Sequence, residues 1–318
     1  MSRIVVTGGA GRLGRSLVAG LGLAGHDVLS LDRAVTEAPE LANAEQLAID
    51  LSDANATREA LAGARADALI HLAAIAVPFS APEDVIMRVN SGLAVSVMGG
   101  AVEAGIPKIV AASSPTVLGY GAPGWNPGRF PMDEETAPAP SNAYALSKLI
   151  IEQTVAMLAR AHGDRARLAA FRPCYVIAPE EWEGAPTQQG HTVAERLADP
   201  ALSAPAVFNY VDARDVADFV STLLDALPGI PNAQTFFVGA RDALAIEPLA
   251  ELIPRFFPAA AQAAQVLTGT APAFSTAKAE RLLGWRARRS WRTELPDAAS
   301  VTSRRDVALS AASGEGPL

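Results

Sequence analysis

The sequence predicts an α/β fold built on a doubly wound parallel sheet, and three observations indicate it. Short apolar runs alternate with stretches of helical length through the first half of the chain. These runs are continuous in Val, Ile, Leu and Ala, as in strands that are covered on both faces. A glycine-rich turn joins the first run to the first helical stretch. Together these features are typical of a parallel sheet with crossover helices.

The elements follow one another in a regular order. Six runs are predicted as strands: 4–7, 28–32, 47–50, 68–72, 109–113 and 168–172. Three stretches have helical length and few breakers: 12–24, 82–104 and 143–162. Prolines then break the chain into short pieces, which predicts a smaller, loop-rich lobe. A strand over 207–211, a helix over 212–227 and a strand over 235–239 are expected to return to the sheet.

These elements predict two lobes and a tail. We expect a sheet domain over 1–173, with about 207–240 returning to it, and a discontinuous second lobe over 174–206 and 241–302. The small and polar residues of 303–318 predict a mobile tail.

Composition restricts the class of protein. The chain has 318 residues, 50% hydrophobic and 19% charged, and a formal net charge of -8. That acidity argues against nucleic-acid or anionic-membrane partners. The single Cys174 excludes an internal disulfide and lies in an apolar run, where we expect it to be buried. No secretory signal is recognisable and no stretch approaches the length needed to span a bilayer, so a cytoplasmic protein is expected.

The first turn carries the glycines Gly8, Gly11 and Gly14, with Arg12 and Leu13 among them. They follow a predicted strand and open a predicted helix. Glycines there permit a tight turn and a close approach of the backbone to a pyrophosphate, which the helix N-terminus attracts. The pattern predicts a Rossmann-type dinucleotide site.

Acidic residues follow the next two strands. Asp32 can accept both ribose hydroxyls and repels a 2′-phosphate, which favours NAD over NADP, although the adjacent Arg33 could receive that phosphate. Asp50 and Leu51 could lie beside the adenine of the cofactor. The alternative for Asp50 is a structural role, in which its carboxylate caps the start of the following helix.

The second half of the sheet carries the candidate chemistry. Ser113 and Ser114 follow the fifth predicted strand, at the edge where open α/β sheets hold ligands. Tyr144 and Lys148 are four residues apart on a predicted helix and therefore share a face. By itself this spacing is also compatible with an ordinary solvated pair.

At this point the chain resembles the extended short-chain dehydrogenase/reductases, the NAD-dependent epimerase/dehydratase family, over nearly its whole length. The resembling segments, in family order, are TGGAGRLG, LDR, HLAA (71–74), SSPTVLG, YALSK, FRPCYVIAP (171–179), YVDARDVADF (210–219) and STAKAERLLGW (275–285).

The resemblance implies roles for individual residues. Tyr144 would be the general acid/base, with a pKa lowered by Lys148 and by the nicotinamide ring, Lys148 would hold the nicotinamide ribose, and Ser114 would bind the substrate oxygen. Further cofactor contacts are expected at Leu72, Ala73, Ala74, Asn90 and Pro173, and substrate contacts at Ser113, Tyr175 and Arg214. For Asn90 a structural hydrogen bond is the alternative, and for Arg214 a helix ion pair with Asp218.

Departures from the family pattern narrow the reaction. Pro115 and Thr116 stand where the sugar-nucleotide dehydratases carry an Asp-Glu pair, and because neither residue can transfer a proton to the leaving water, dehydration is disfavoured. Tyr175 replaces an Asn that helps to hold a substrate diphosphate, and the loss of such a charge-assisted clamp disfavours a nucleotide-linked substrate. The chain also has a partial likeness to the uronate dehydrogenase branch of the family. In that branch a substrate-binding hydroxyl is expected at the position of Ala76, which carries none.

The second lobe offers Trp182, Gln188 and His191 as candidate substrate contacts, although loop surface is the stronger interpretation of each. The four histidines of the chain show no metal-ligand spacing, and no metal is predicted.

The sequence therefore predicts an NAD-dependent oxidoreductase acting on a small hydroxyl or carbonyl substrate such as a free sugar, a sugar acid or a polyol. The alternatives are an epimerase that keeps its NAD bound, and a regulator that binds NAD without turnover. A homodimer is expected through the helices at 82–104 and 143–162, whose apolar content fits burial against the sheet equally well.

Overall fold

The computed structural model describes residues 1–295, and its centre is a seven-stranded sheet in which every neighbouring pair is parallel. The strands are β1 (Arg3–Thr7), β2 (Asp27–Asp32), β3 (Glu45–Ala48), β4 (Ala68–His71), β5 (Lys108–Ala112), β6 (Arg167–Pro173) and β9 (Gln234–Val238), and two further strands, β7 (Val176–Ile177) and β8 (Val211–Asp212), pair with each other. The order β3-β2-β1-β4-β5-β6-β9 reverses between β1 and β4, which opens a crevice at the carboxyl ends of the strands.

Helices cover both faces of the sheet. The long helices are α1 (Arg12–Leu23), α2 (Ala54–Ala64), α3 (Glu83–Glu103), α4 (Ala143–His162) and α7 (Ala213–Ala226). The short ones are α5 (Pro179–Trp182), α6 (Val193–Ala198), α8 (Leu249–Phe256), α9 (Ala261–Ala264), α10 (Ala277–Leu283) and α11 (Trp291–Glu294). The pair α1 and α7 packs on one face, and α2, α3 and α4 pack on the other, so each face buries its own apolar cluster. The Rossmann-type fold predicted from the sequence is confirmed.

The return of the chain to the sheet differs in detail from the prediction. The strand expected over 207–211 is wrong, because Val207 and Phe208 have φ of 51° and 57°, a left-handed conformation that cannot continue a strand. Only Val211 and Asp212 pair, and their partner is β7 rather than the main sheet. By contrast β9 pairs with β6 at the sheet edge, near its predicted position. Residues 296–302 of the predicted second lobe and the predicted tail lie outside the described residues.

The expectation that no stretch could span a bilayer is also wrong on length and composition. Helix α3 contains an 18-residue window with mean hydropathy 1.4. Half of that window is buried, because α3 packs against α2 and α4 over the sheet. Its apolar content is therefore explained by the core that it helps to form.

The edge strand β9 has one backbone group on its outer side bonded by a loop. The Glu134 carboxylate, in the segment that leads to α4, accepts a hydrogen bond of 2.7 Å from the Phe237 N–H group. Beyond it, Met132 and Phe274 form an isolated parallel bridge. Burial raises the pKa of the Glu134 carboxyl. This loop therefore satisfies one backbone N–H group on the open edge of β9.

Candidate active site

The glycine turn is a cradle that side chains would fill. Gly8 has φ +76°, and a Cβ atom there would lie 2.8 Å from Ala73 N. A Cβ atom on Gly14 would overlap the carbonyl oxygen of Gly8, whereas Gly11 donates to that oxygen at 3.2 Å. Helix α1 begins directly afterwards and has no acidic residue in its first turn. The cradle therefore fits a diphosphate at the helix N-terminus.

Asp32 is held at the end of β2 by the same turn. Its Oδ2 accepts a hydrogen bond of 3.0 Å from Ala10 N, and its Oδ1 accepts one of 2.7 Å from Arg33 N. These contacts fix the carboxylate over the crevice, where ribose hydroxyls can donate to it. The residues fit NAD, and the negative charge opposes a 2′-phosphate.

The position after β3 is also acidic. Asp50 lines the crevice with Leu51 and accepts hydrogen bonds from Ser52 N and Oγ, which lower the pKa of its carboxyl. The alternative that Asp50 opens α2 is wrong, because Asp53 is the residue that caps the helix, accepting from the N–H groups of its first turn.

One crevice of about 930 Å³ joins these features. Its walls come from the carboxyl ends of β1, β2, β4, β5 and β6. Apart from Asn90, all the predicted cofactor contacts line it: Gly8, Gly11, Arg12, Leu13, Gly14, Asp32, Arg33, Asp50, Leu51, Leu72, Ala73, Ala74, Tyr144, Lys148 and Pro173. Ser113, Ser114 and Tyr175 line it as well.

Helix α4 brings Tyr144 and Lys148 into this crevice. Asn142 caps the helix by accepting a hydrogen bond of 2.8 Å from Ala145 N, which fixes where its first turn begins. The Lys148 Nζ lies 5.7 Å from the centre of the Tyr144 ring and donates to the carbonyl oxygen of Ala112 at 3.0 Å. That carbonyl is the last of β5, so the helix is tied to the strand end that precedes the serines.

Burial dominates the electrostatics of the pair. It raises the pKa of Tyr144 to about 12, against the opposite effect of a hydrogen bond with Ser114, and it lowers the pKa of Lys148 to about 8. The lowering of the Tyr144 pKa expected from Lys148 and a bound nicotinamide ring stays a prediction; in the chain alone burial outweighs the other effects. At neutral pH the phenol is protonated and can donate a hydrogen bond.

The two serines have different surroundings. Ser114 Oγ accepts hydrogen bonds from Thr116 N at 3.2 Å and from Thr116 Oγ1 at 2.9 Å, which leaves its own O–H to donate. Ser113 Oγ instead donates to Glu152 Oε1 at 2.5 Å, and Glu152 forms a buried bidentate pair with Arg172. The predicted substrate contact at Ser113 is thus corrected, because its hydroxyl belongs to a structural network.

Two other predicted contacts lie elsewhere. The buried Asn90 amide binds Ile75 N, Ile75 O and Ser147 Oγ, so the structural alternative describes it, and it supports the crevice wall after β4 from behind. Arg214 pairs with Asp212 and Glu294 and does not line the crevice. The predicted Arg214–Asp218 pair is wrong.

The second lobe contributes to the crevice in ways that the sequence only partly indicated. Gln188 lines it, whereas Trp182 is buried and donates to Asp212, and His191 is exposed. Cys174 is buried as expected, and burial raises the pKa of its thiol. The sequence analysis missed several lining residues: Ile75, Val77, Pro78, Thr116, Tyr120, Gln189, Pro205 and Ala206. Only their proximity to recognised motifs could have indicated Ile75 to Pro78, Thr116 and Tyr120.

Among residues 1–295, no group of three or more His, Cys, Asp or Glu side chains could hold a metal ion. His71, at the end of β4, lies in the core with its Nδ1 2.8 Å from Thr7 Oγ1. Burial, and secondarily the charge of Lys148, lowers its pKa to about 3. His71 is therefore a neutral core residue.

Comparison with known proteins identifies the family. The profile of the NAD dependent epimerase/dehydratase family matches residues 4–239. The chain belongs to this family. The resemblance drawn from the sequence motifs is confirmed, and with it the expectation of an enzyme class that uses NAD.

Curated relatives divide between two chemistries. The chain is 32% identical over 173 residues to UDP-glucose 4-epimerase of Azospirillum brasilense, which covers 53% of this chain and 48% of that protein. It is 29% identical over 178 residues to uronate dehydrogenase of Agrobacterium fabrum, covering 55% and 62% respectively. The chain thus spans about half of the length of the curated relatives that it matches.

Solved structures match over nearly the whole chain. A short-chain dehydrogenase/reductase superfamily protein from Agrobacterium tumefaciens, with bound NAD, has a TM-score of 0.69 at 22% identity, covering 97% of this chain and 99% of that one. UDP-glucose-4-epimerase from Stenotrophomonas maltophila, with bound NAD and formylated UDP-arabinopyranose, has a TM-score of 0.70 at 20% identity, covering 97% and 100%. At this identity the likeness establishes the fold.

Proposed function

We propose that this protein is an NAD-dependent oxidoreductase that transfers hydride between NAD and the carbon of a small hydroxyl or carbonyl substrate, such as a free sugar, a sugar acid or a polyol. The observation that carries the proposal is the convergence of Ser114, Tyr144 and Lys148 on the crevice that also contains the glycine cradle.

Each residue has a task that its surroundings support. The cradle at Gly8 and Gly14 and the N-terminus of α1 would hold the diphosphate, and Asp32 would hold the adenosine ribose and select NAD over NADP. Lys148 would hold the nicotinamide ribose. Bound NAD supplies the hydride acceptor or donor, and the positive charge of its oxidised nicotinamide ring favours the phenolate.

The proton chemistry falls to Ser114 and Tyr144. Because Thr116 fills the acceptor side of Ser114, the Ser114 O–H is the part that donates, to Tyr144 in the chain alone and to the substrate oxygen when substrate is bound. Tyr144 would take the hydroxyl proton during oxidation and return it during reduction. Because Pro115 and Thr116 carry no acid, the site has no group at those positions to protonate a leaving water, which argues against dehydration.

The experiment is a direct assay. The purified protein, supplied with NAD and a panel of sugars, sugar acids and polyols, is expected to form NADH, detected by its absorbance. Tyr144→Phe should abolish turnover while calorimetry still shows NAD binding, because the diphosphate and the adenosine ribose are held by the cradle and Asp32 rather than by the phenol. Equal turnover by Tyr144→Phe and the natural protein would refute the assignment.

An epimerase that retains its NAD is the second candidate, and two ion pairs favour it. Arg12 pairs with Glu181, and Arg15 pairs with Glu180 at 3.0 Å, so helix α1 beside the cradle is tied to α5. Such ties would slow release of the cofactor. NAD that survives dialysis, together with epimerised product and no net NADH, would favour this candidate.

We also propose a homodimer in the cytoplasm. The outer faces of α3 and α4 expose Val95, Leu146 and Met157 at 50%, 40% and 45%, which supports a four-helix contact between two copies. Light scattering should give twice the mass of one chain, and Leu146→Glu should reduce the measured mass to that of a single chain. The single buried Cys174 fits a reducing compartment, which cell fractionation can test.

A further inference from the structure

The part of the crevice contributed by the second lobe carries polar groups that the proposed hydride transfer does not use. Tyr175 follows the end of β6, beside β5, whose end leads to Ser114. Gln189 lines the same crevice. Behind both lies Arg196 of α6, whose guanidinium carbon is 4.4 Å from the centre of the Tyr175 ring.

Arg196 is a buried cation held by neutral oxygens. Arg196 is only 1% exposed to solvent. Its Nη1 donates to Leu202 O at 2.6 Å, its Nε to Thr187 Oγ1 at 3.3 Å, and its Nη2 to Gln189 Oε1. No carboxylate in residues 1–295 forms an ion pair with it. A buried charge without a counter-charge is costly, which points to a partner outside these groups.

The nearest buried carboxylate is already occupied. Glu181 pairs with Arg12 through Oε1 and accepts from Ala178 N through Oε2 at 2.9 Å. Arg15 is paired with Glu180. Arg15 also lies 3.9 Å from the Glu40 carboxylate, so Arg12 and Arg15 both have carboxylate partners, whereas Arg196 has none among residues 1–295. Burial lowers the pKa of Arg196, while Tyr175 and, after it, Glu181 act in the opposite direction.

The groups in front of Arg196 are prepared to donate. Because Gln189 accepts through Oε1, the NH₂ group of the same amide is the part left to face a ligand. The Tyr175 hydroxyl oxygen is buried beside Arg196, and it has no hydrogen-bond partner among the described residues. This wall is therefore rich in donors and has a cation behind it.

We infer that Tyr175 and Gln189, with Arg196 behind them, form the subsite for the carboxylate of a small hydroxy acid or sugar acid. This inference rests on the proposed function and narrows its substrate class. Tyr175 and Gln189 would contact the carboxylate, and Arg196 is a positioning residue that orients Gln189 and supplies the counter-charge.

The test compares matched ligands in the NAD-loaded protein. Calorimetry with D-galacturonate against D-galactose, and with D-gluconate against D-glucitol, isolates the contribution of the carboxylate. For at least one pair we expect the acid to bind roughly 10- to 100-fold more tightly, the range of one charge-assisted contact. Gln189→Glu should remove this preference, since it substitutes a carboxylate for the donor amide.

Two further variants keep the test decisive. Gln262→Glu introduces the same charge on the exposed surface of α9, outside the crevice, and should leave the acid preference intact. Gln189→Leu removes the donor without adding charge and should reduce the preference by a smaller factor. The apparent affinity for NAD should be equal in all variants, which excludes misfolding.

The outcomes separate this inference from the proposed function. If no acid binds more tightly than its neutral partner, including the case in which neither binds, the carboxylate subsite is refuted even if NADH forms with other substrates. A preference that persists in Gln189→Glu refutes it too. If acids bind with the expected preference and no NADH forms, the subsite stands and the oxidoreductase proposal fails.

Discussion

Gly14→Ala is the sharpest perturbation of the cofactor cradle. Besides overlapping the carbonyl oxygen of Gly8, the added Cβ atom would lie 2.7 Å from the Cα and 2.8 Å from the carbonyl carbon of Gly9. All of these neighbours are backbone atoms, so no side-chain rotation can relieve the overlap. The turn itself must shift, and with it the N–H groups that would meet a diphosphate.

The same helix contains its own control. Gly22 lies on the exposed side of α1, and a Cβ atom there would meet nothing within 4 Å. Gly22→Ala should therefore raise the free energy of unfolding by roughly 0.5–1 kcal/mol, the ordinary gain of Ala over Gly in a helix. Gly14→Ala has the same intrinsic gain, but overpacking costs about 1–3 kcal/mol, so its free energy of unfolding should fall.

Urea unfolding and calorimetric titration with NAD measure the two effects. We expect Gly14→Ala to lose at least about 10-fold in NAD affinity, equivalent to about 1.4 kcal/mol, and Gly22→Ala to bind as the natural protein does. A Gly14→Ala variant with unchanged NAD affinity and stability would show that the turn adapts freely. The cradle would then not be the reason for glycine at this position.

Three further outcomes follow from contacts described above. Glu152→Gln leaves Arg172 charged and buried without its counter-ion, so urea unfolding should show a loss of about 3–5 kcal/mol; a loss below about 1 kcal/mol would contradict a buried pair. In the folded protein the pKa of His71 is about 3, below its usual value of 6.5. As the pH falls below 6.5, the unfolded chain therefore binds a proton at His71, whereas the folded protein does not. Stability should therefore decline there by up to about 1.4 kcal/mol per pH unit, and His71→Gln should lessen the slope measured between about pH 6.5 and 5. Asp32→Ser should shift the ratio of NADP to NAD affinity upward by roughly 10-fold or more, measured by calorimetry, since a charge that opposes the 2′-phosphate is removed; an unchanged ratio would assign the selectivity elsewhere.

The sheet and the cradle were predictable because their signals are local. A strand covered on both faces must be apolar throughout, as Ile4–Val6 is, and a turn that approaches its neighbours as closely as Gly8 does must lack a side chain. The same holds for Tyr144 and Lys148, whose shared face follows from helical spacing alone.

The errors concern partners that are distant in the sequence. Arg214 pairs with Glu294, 80 residues later, in addition to the neighbouring Asp212, and Ser113 donates to Glu152, 39 residues later; no local pattern predicts the two distant bonds. The misassigned strand has a different cause. Val207 and Phe208 are strand-forming residue types, and tertiary packing overrides that preference by placing them in a left-handed turn.

The loop over the outer side of β9 has a consequence for how the protein behaves in a concentrated solution. An open sheet ends in two rows of unsatisfied backbone groups, and such rows recruit strands from other molecules. At one end the four-residue β3 presents the exposed Glu45, and at the other the Glu134 carboxylate occupies Phe237 N–H before any foreign chain can. Replacing Glu134 with an apolar residue would leave the Phe237 N–H group free to pair with a strand of another molecule, so the chain would remain folded yet tend to aggregate.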